Sequence, residues 1–180
     1  MVIDKGMNHI QRASRRYRVL FTVLIIGVPV FDLLYWASFN HLPEGFLTDL
    51  PVLPTQQLSV LSLALAFLVS LLPVSVAVYG LVTLKALFRL YEGGIIFSAD
   101  NVKYFRRLGY SFIAWVVANT VFTPLISVVV TFANPPGQRV LSAQFGVLDI
   151  ATLLIGGVVL LISWVMNEGR KLEDEIAHTV

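Results

Sequence analysis

The sequence predicts an all-α membrane protein with four transmembrane helices and both termini in the cytoplasm. Of its 180 residues, 57% are hydrophobic and only 13% are charged, whereas soluble domains average about 25% charged residues. The apolar residues fall into four blocks, each long enough for the roughly 20-residue helix that crosses a bilayer. Lysine and arginine lie at the flanks of these blocks. We therefore expect one membrane domain over residues 1–180.

The first predicted span covers residues 19–39 and follows a basic N-terminal segment. A helix over this apolar run would be about 31 Å long, which matches the hydrocarbon core. The run exceeds the apolar region of a signal peptide, about 7–15 residues, so we expect it to be retained. Trp36 near its outer end, and Trp164 in the last span, are expected at the lipid interface.

The second predicted span covers residues 58–84, after a connection that contains three prolines and no lysine or arginine. Prolines prevent a continuous helix, so the connection is expected to be short and irregular. Ser62, Ala66 and Ser70 recur every fourth residue. This stripe either lets a neighbouring helix approach closely or reflects the general frequency of small residues in membrane helices.

A cytoplasmic loop is predicted for residues 85–107, between the second span and a third span at 108–133. Gly93 or Gly94 suits the left-handed cap that ends a helix, and Ser98 suits the N-cap of the next one. The pattern predicts a short cytoplasmic helix before the third span. A turn-rich loop at 134–144, in which VLSAQF hints at a short extended stretch, precedes a fourth span at 145–166 and a charged cytoplasmic tail at 167–180.

The distribution of positive charge predicts the orientation. Twelve of the thirteen lysines and arginines lie in the N-terminal segment, the 85–107 loop and the tail, and only Arg139 lies in a loop on the other side. Loops rich in lysine and arginine remain in the cytoplasm. We therefore expect both termini and the 85–107 loop to be cytoplasmic.

The segment LYEGGIIFSADNVKYFRRLGY resembles the signature Y-E-x-G-x-I-F-S/T-x-x-N-V-x-x-x-R-R-L-G of a bacterial membrane family, the domain of unknown function 2975. The tail resembles the closing pattern of the same family through Gly169, Leu172, Glu175, Thr179 and Val180. The resemblance implies four helices with both ends inside and a location in the bacterial inner membrane. It also implies a partner, because such proteins are frequently encoded beside a small helix-turn-helix regulator.

Two groups of residues are candidates for function. The matched cytoplasmic residues are candidates for partner binding, although positive charge beside spans also follows from topology alone. Polar residues inside the spans are usually satisfied by a partner and often functional. The partner-binding candidates are Tyr91, Glu92, Arg106, Arg107, Leu172 and Glu175, and the intramembrane candidates are Asp32, Asn119 and Asp149.

The intramembrane candidates admit two interpretations. Asp32 and Asp149 both fall in the outer half of the bilayer, so they could share a proton or a cation. Alternatively, Asp149 lies at the interface, where it caps the fourth helix or pairs with Arg139. Asn119 could line a polar interior with Asp32, or could bond to neighbouring helices.

No motif for a metalloprotease, a nucleotide-binding loop, a dinucleotide fold or an esterase occurs, and there are no cysteines. We therefore expect no enzymatic activity, no metal and no cofactor. The net charge of +2 does not favour direct binding of nucleic acid. The function predicted is that of a scaffold or sensor that binds a partner at its cytoplasmic face. The alternative is a small transporter or channel component that uses Asp32. The expected partners are the lipid bilayer and a cytoplasmic regulator, and a homo-oligomer is compatible with the sequence.

Overall fold

Four long α-helices make up the fold, which is described here from a computed structural model. It describes residues 2–43, 50–52, 54, 56–96, 98–135 and 137–179, and of residues 2–9 and 173–179 the backbone alone. No strand occurs within these ranges. All four helices are long and apolar enough to cross a membrane, which confirms the predicted fold class. The helices are α1 (Val2–Ser38), α2 (Val60–Glu92), α3 (Ala99–Thr131) and α4 (Val147–Thr179), with a short 3-10 helix at Phe39–His41.

The helices extend well beyond the predicted spans. A helix of 33 residues, the length of α2, α3 and α4, is about 50 Å long, whereas the hydrocarbon core is about 30 Å thick. The start of the predicted 85–107 loop therefore forms the last turns of α2, and the predicted tail continues α4. The residues of the short helix expected before the third span are helical, but they form one continuous helix, α3, with that span. Gly109 lies within α3 and packs against Gly156 and Leu160 of α4.

Each helix packs against the next one in the chain, α1 on α2, α2 on α3 and α3 on α4. α1 and α2 are antiparallel, because Arg18, midway along α1, contacts Glu92 at the end of α2, and Gln11, two turns earlier, lies against Gly94. α3 and α4 are antiparallel too, since Gly109 faces Gly156 whereas Asn119 shares a cavity with Asp149. The start of α1, the turn after α2 and the end of α4 therefore lie together. We call this the basic end, and the opposite one, with the 3-10 helix and residues 134–146, the far end.

Large apolar side chains are exposed along all four helices. Phe31 on α1 is 71% exposed and Leu148 on α4 is 83% exposed. A water-soluble protein rarely leaves such extensive apolar surface uncovered. The surface is the one expected of helices that contact lipid.

The main apolar core lies at the far end, where the C-terminal ends of α1 and α3 meet the N-terminal end of α2. Trp36 is only 3% exposed and stacks on Phe39 at 5.1 Å between ring centroids. The prediction that Trp36 lies at the lipid interface is therefore wrong, whereas Trp164 is 63% exposed, as expected. Trp36 is buried because its indole N–H donates to Ser70 Oγ at 3.1 Å, which removes its need for interfacial water. The buried members of the core are Trp36, Phe39, Leu58, Ala66, Ile126 and Val130.

The small-residue stripe on α2 faces inward, as its spacing suggested. Ser62, Ala66 and Ser70 are 9%, 0% and 5% exposed. Ala66 belongs to the far-end core, and Ser70 bonds to α1. The stripe therefore allows α1 and α3 to approach α2 closely.

Side chains at the far end hold the two connecting loops against the helices. The Asn40 amide donates to Leu58 O at 2.9 Å and accepts from Leu58 N–H at 3.0 Å. Ser127 Oγ and Thr131 Oγ1, one turn apart on α3, accept the N–H groups of Ser142 and Val140. The N–H groups of Val140 and Ser142 are thus satisfied by hydroxyls of α3 and not by a neighbouring strand. The segment VLSAQF, for which the sequence hinted at a short extended stretch, therefore lies along α3 without forming a strand.

Candidate functional site

The end of α2 is fixed by a glycine in the left-handed conformation. Gly94 has φ of 74°, and its N–H donates to Tyr91 O at 3.0 Å. The next N–H, that of Ile95, donates to Leu90 O at 3.0 Å. This pair of bonds is the Schellman arrangement, which satisfies the last carbonyls of a helix. Of the two glycines proposed as the stop, Gly94 is therefore the one that adopts the left-handed cap.

Asn101 holds the turn between α2 and α3 in place. Its backbone N–H donates to the N-cap oxygen, Ser98 Oγ, at 3.3 Å, and the Asn101 side chain is fully buried. The side-chain amide donates to the carbonyls of both Ile95 and Ile96. Buried amides are costly to leave unsatisfied, so these bonds favour one conformation of the turn. The basic end is thus a defined structure between its helices.

Glu92, a predicted partner-binding residue, is paired within the chain. Arg18 Nε lies 3.0 Å from Glu92 Oε2, and a second guanidinium nitrogen lies 3.4 Å from Oε1. The closer contact is an ion pair without good hydrogen-bond geometry, because Oε2 has no hydrogen-bond partner in the described structure. The two side chains are 36% and 27% exposed, and pairs this open to solvent contribute about 0–1 kcal/mol. Sequence reasoning missed Arg18, since nothing local indicates a partner in the next helix.

Tyr91 also packs within the chain. It is half-buried, and its ring lies 5.8 Å from that of Phe88. Phe88 in turn contacts Tyr17 at 5.2 Å and Phe21 at 5.3 Å between ring centroids. Aromatic pairs at these separations are stabilising. The four rings join α1 to α2 at the basic end, so the contacts of Tyr91 are structural.

Arg106 and Arg107 lie on the outer surface of α3 and are exposed. The Arg107 guanidinium carbon lies 5.9 Å from the centre of the Tyr104 ring, a separation at which a cation and a ring attract each other. Leu172 on α4 is 55% exposed. Glu175 lies in the helical part of α4, but its side chain is outside the described residues. Among the predicted partner-binding residues with described side chains, Arg106, Arg107 and Leu172 are therefore the exposed ones.

Asp32 lies between α1 and α2, away from the other intramembrane candidates. Its Oδ2 accepts from Ser70 Oγ at 2.7 Å, and the same hydroxyl oxygen accepts the Trp36 indole N–H. A hydrogen-bonded chain of this kind satisfies a carboxyl group inside the membrane. Asp32 does not line the cavities described below, and its hydrogen bond to Ser70 joins α1 to α2.

Asn119 and Asp149 are brought together by the antiparallel packing of α3 and α4. Both line one cavity at the far end, with a volume of about 880 Å³. Asp149 Oδ2 accepts the Gly146 N–H at 2.8 Å, so this carboxylate caps α4, as one of the two interpretations predicted. Among the described side chains, no three histidines, aspartates or glutamates form a metal site.

One comparison with known proteins gave a match. The profile of a family described as "Protein of unknown function (DUF2975)" matches residues 49–180, well over half of the chain. Neither a curated protein nor a solved structure matches the chain. The match covers α2, α3 and α4, including the Gly94 turn and Asn101.

Proposed function

The chain belongs to this family, DUF2975, and from that premise we propose that it is a non-enzymatic protein of the bacterial inner membrane whose basic end binds a cytoplasmic protein partner. Its role would be that of a scaffold or a sensor. The family contributes no activity of its own, so the proposal depends on the geometry of the basic end.

The positive charge supports a cytoplasmic position for that end. Twelve of the thirteen lysines and arginines belong to the start of α1, residues 85–107 and the end of α4. Antiparallel packing gathers these three segments at one end of the molecule. Segments with this bias are retained in the cytoplasm during insertion.

The observation that carries the proposal is the combination of a fixed turn with unpaired exposed arginines. Asn101 bonds two carbonyls of the turn, and Arg106 and Arg107 follow one to two turns later on the same rigid helix. Within the described structure, no carboxylate forms an ion pair with either arginine. Arginines presented on a rigid element bind carboxylates with defined geometry. The partner is therefore a protein with an acidic surface, and the small helix-turn-helix regulator implied by the family resemblance is the candidate to examine first.

The test is a pull-down of the full chain in mild detergent, comparing two double substitutions. Arg106→Glu with Arg107→Glu should release the partner, because both carboxylate contacts become repulsive. Arg106→Lys with Arg107→Lys keeps the positive charge that topology requires but loses the bidentate geometry, so it should weaken the complex by about tenfold. Asp32→Asn, which alters only the α1–α2 interface, should leave binding intact.

Orientation is checked in each variant, because charge reversal also weakens the topological signal. If the glutamate variant keeps both its orientation and its partner, the basic end is not the binding surface. Retained partner binding in the glutamate variant, with transport flux lost in Asp32→Asn, would favour the transport interpretation instead.

A further inference from the structure

A polar cavity opens at the far end between α3, α4 and the loop that joins them. It has a volume of about 880 Å³, within the range of small-molecule sites. Its polar side chains come from two helices and the loop, which brings together residues more than 20 positions apart. These side chains are Asn119, Thr123, Gln144, Asp149 and Thr152.

An apolar groove continues from this cavity toward the basic end. The groove has a volume of about 410 Å³, and all four helices contribute to it, for example Leu24, Leu81 and Phe112. Trp115 and Thr152 line both spaces, so the polar cavity and the groove meet there. Along α3 the groove runs from Trp115 to Leu108, a distance of about 10 Å at the helical rise. The combined space is polar at one end and apolar at the other.

The charge of the polar end is negative. Asp149 is the charged residue among the described lining of the two spaces, and no lysine or arginine lines either of them. Arg139 is directed elsewhere, toward the Phe132 ring and the Asn134 carbonyl. The start of α4 carries about half a positive charge from its dipole, which the full charge of Asp149 outweighs.

Acceptor atoms remain available at this end. Asp149 uses Oδ2 for the Gly146 N–H, and a carboxylate has further acceptor sites on both oxygens. The Asn119 side chain makes no hydrogen bond within the part of the chain that the structure describes. The backbone carbonyl of Asn119 accepts from the Thr123 hydroxyl. An anion would find no cation here, and a divalent metal would find too few oxygen ligands, since it needs about six.

We propose that this site binds a membrane amphiphile with an ammonium headgroup, which lies between Asp149 and Asn119, and an alkyl chain, which lies in the groove. The shape of the combined space favours an amphiphile over a free amine, because the polar cavity leads directly into the apolar groove. The surrounding lipid tails are as apolar as the groove, so the alkyl chain of the amphiphile gains little free energy by moving from lipid into the groove. The headgroup therefore determines selectivity, through the charge of Asp149 and the amide of Asn119.

The test uses quenching of Trp115, which lies where the two spaces meet. The full chain is placed in nanodiscs of an uncharged galactolipid, which has no ammonium group to compete for the site, with one of two amphiphiles that have identical brominated alkyl chains and either an ammonium or a phosphate head. Subtracting the signal of Trp115→Phe isolates the quenching of Trp115 itself. Half-maximal quenching should occur at about a fivefold lower fraction of the ammonium amphiphile, equivalent to about 1 kcal/mol.

Two variants decide whether the preference comes from this site. Asp149→Asn keeps a side-chain oxygen for the Gly146 N–H but removes the charge, so it should abolish the difference between the two heads. Ala77→Phe fills the groove, where Ala77 is a lining residue, and should reduce quenching by both amphiphiles. Equal quenching by both heads in the unmodified chain would overturn the proposal. So would a preference that survives in Asp149→Asn, or quenching unchanged in Ala77→Phe with helicity retained.

Discussion

Asn101 shows how one buried side chain can define a whole turn. Its amide donates to two consecutive carbonyls, Ile95 O and Ile96 O. The backbone N–H of Asn101 also donates to Ser98 Oγ at the N-cap of α3. The residue thus links the segment after α2 to the first turn of α3, which gives a physical reason for an asparagine at this place in the family signature.

Replacing Asn101 with aspartate should open this turn. The substitution puts a carboxylate, which has no donor, where the amide N–H groups faced two carbonyl oxygens, so both carbonyls lose this hydrogen bond. We expect a loss of about 1–3 kcal/mol in the free energy of unfolding. Hydrogen exchange of residues 93–96, measured by mass spectrometry in detergent, should accelerate by at least about tenfold.

Asp100→Asn is the matched control, because it removes a charge from the neighbouring, exposed position of the same first turn. It should weaken only the favourable interaction with the helix dipole, by about 0.3–1 kcal/mol. Exchange that is equally fast in both variants would mean that Asn101 does not organise the turn.

Two glycines set the distance between α3 and α4. A Cβ at Gly156 would lie 3.0 Å from Phe112 Cβ and 3.1 Å from Gly109 O, and one at Gly109 would lie 2.6 Å from Leu160 Cγ. Such close approach of two backbones is typical of small residues in membrane helices. Gly109 also belongs to the matched R-R-L-G motif, so this part of the signature has a packing explanation.

Gly156→Ala should force the two helices apart. Overpacking of a close contact costs about 1–3 kcal/mol, which should appear as a lower thermal midpoint of unfolding in detergent. Gly157 is the control on the same helix, since a Cβ there meets nothing within 4 Å. Gly157→Ala should be neutral or stabilising by up to about 1 kcal/mol, because alanine favours the helix. Equal destabilisation by both substitutions would rule out the close α3–α4 contact.

The elements also show what the sequence could and could not predict. The four spans followed from apolar runs, because a bilayer imposes a minimum length on any helix that crosses it. The second and fourth predicted spans, which end at 84 and 166, are shorter than helices α2 and α4, which end at Glu92 and Thr179. Polar residues such as those after residue 84 are compatible with either a loop or an exposed helix. Gly94 and Ser98 were predicted as stop and cap because their chemistry is local.

Features that depend on tertiary contact could not be predicted. The pairing of Arg18 with Glu92 and the burial of Trp36 against Ser70 both join α1 to α2, and no local pattern marks them. Asn119 and Asp149 were each selected as polar residues inside spans, but their common cavity arises only from the antiparallel packing of α3 on α4. Asp32, chosen by the same reasoning, lies apart from both.

At the scale of the whole molecule, the two ends of the protein differ in chemistry. The basic end has a fixed turn and exposed arginines, which suit a protein partner. The far end has a negative cavity that leads into an apolar groove, which suits an amphiphile. We propose that the basic end faces the cytoplasm, because both the proposed partner and the positive charge require it.

Single-cysteine labelling tests this claim most directly, since the chain contains no cysteine of its own. Ala99 at the basic end and Ala143 at the far end are both exposed, so each can be replaced by cysteine without disturbing a core. In intact cells, a membrane-impermeant maleimide should label Ala143→Cys and leave Ala99→Cys unlabelled until the membrane is permeabilised. Labelling of Ala99→Cys in intact cells, with Ala143→Cys protected, would contradict the orientation and with it a cytoplasmic partner at the basic end.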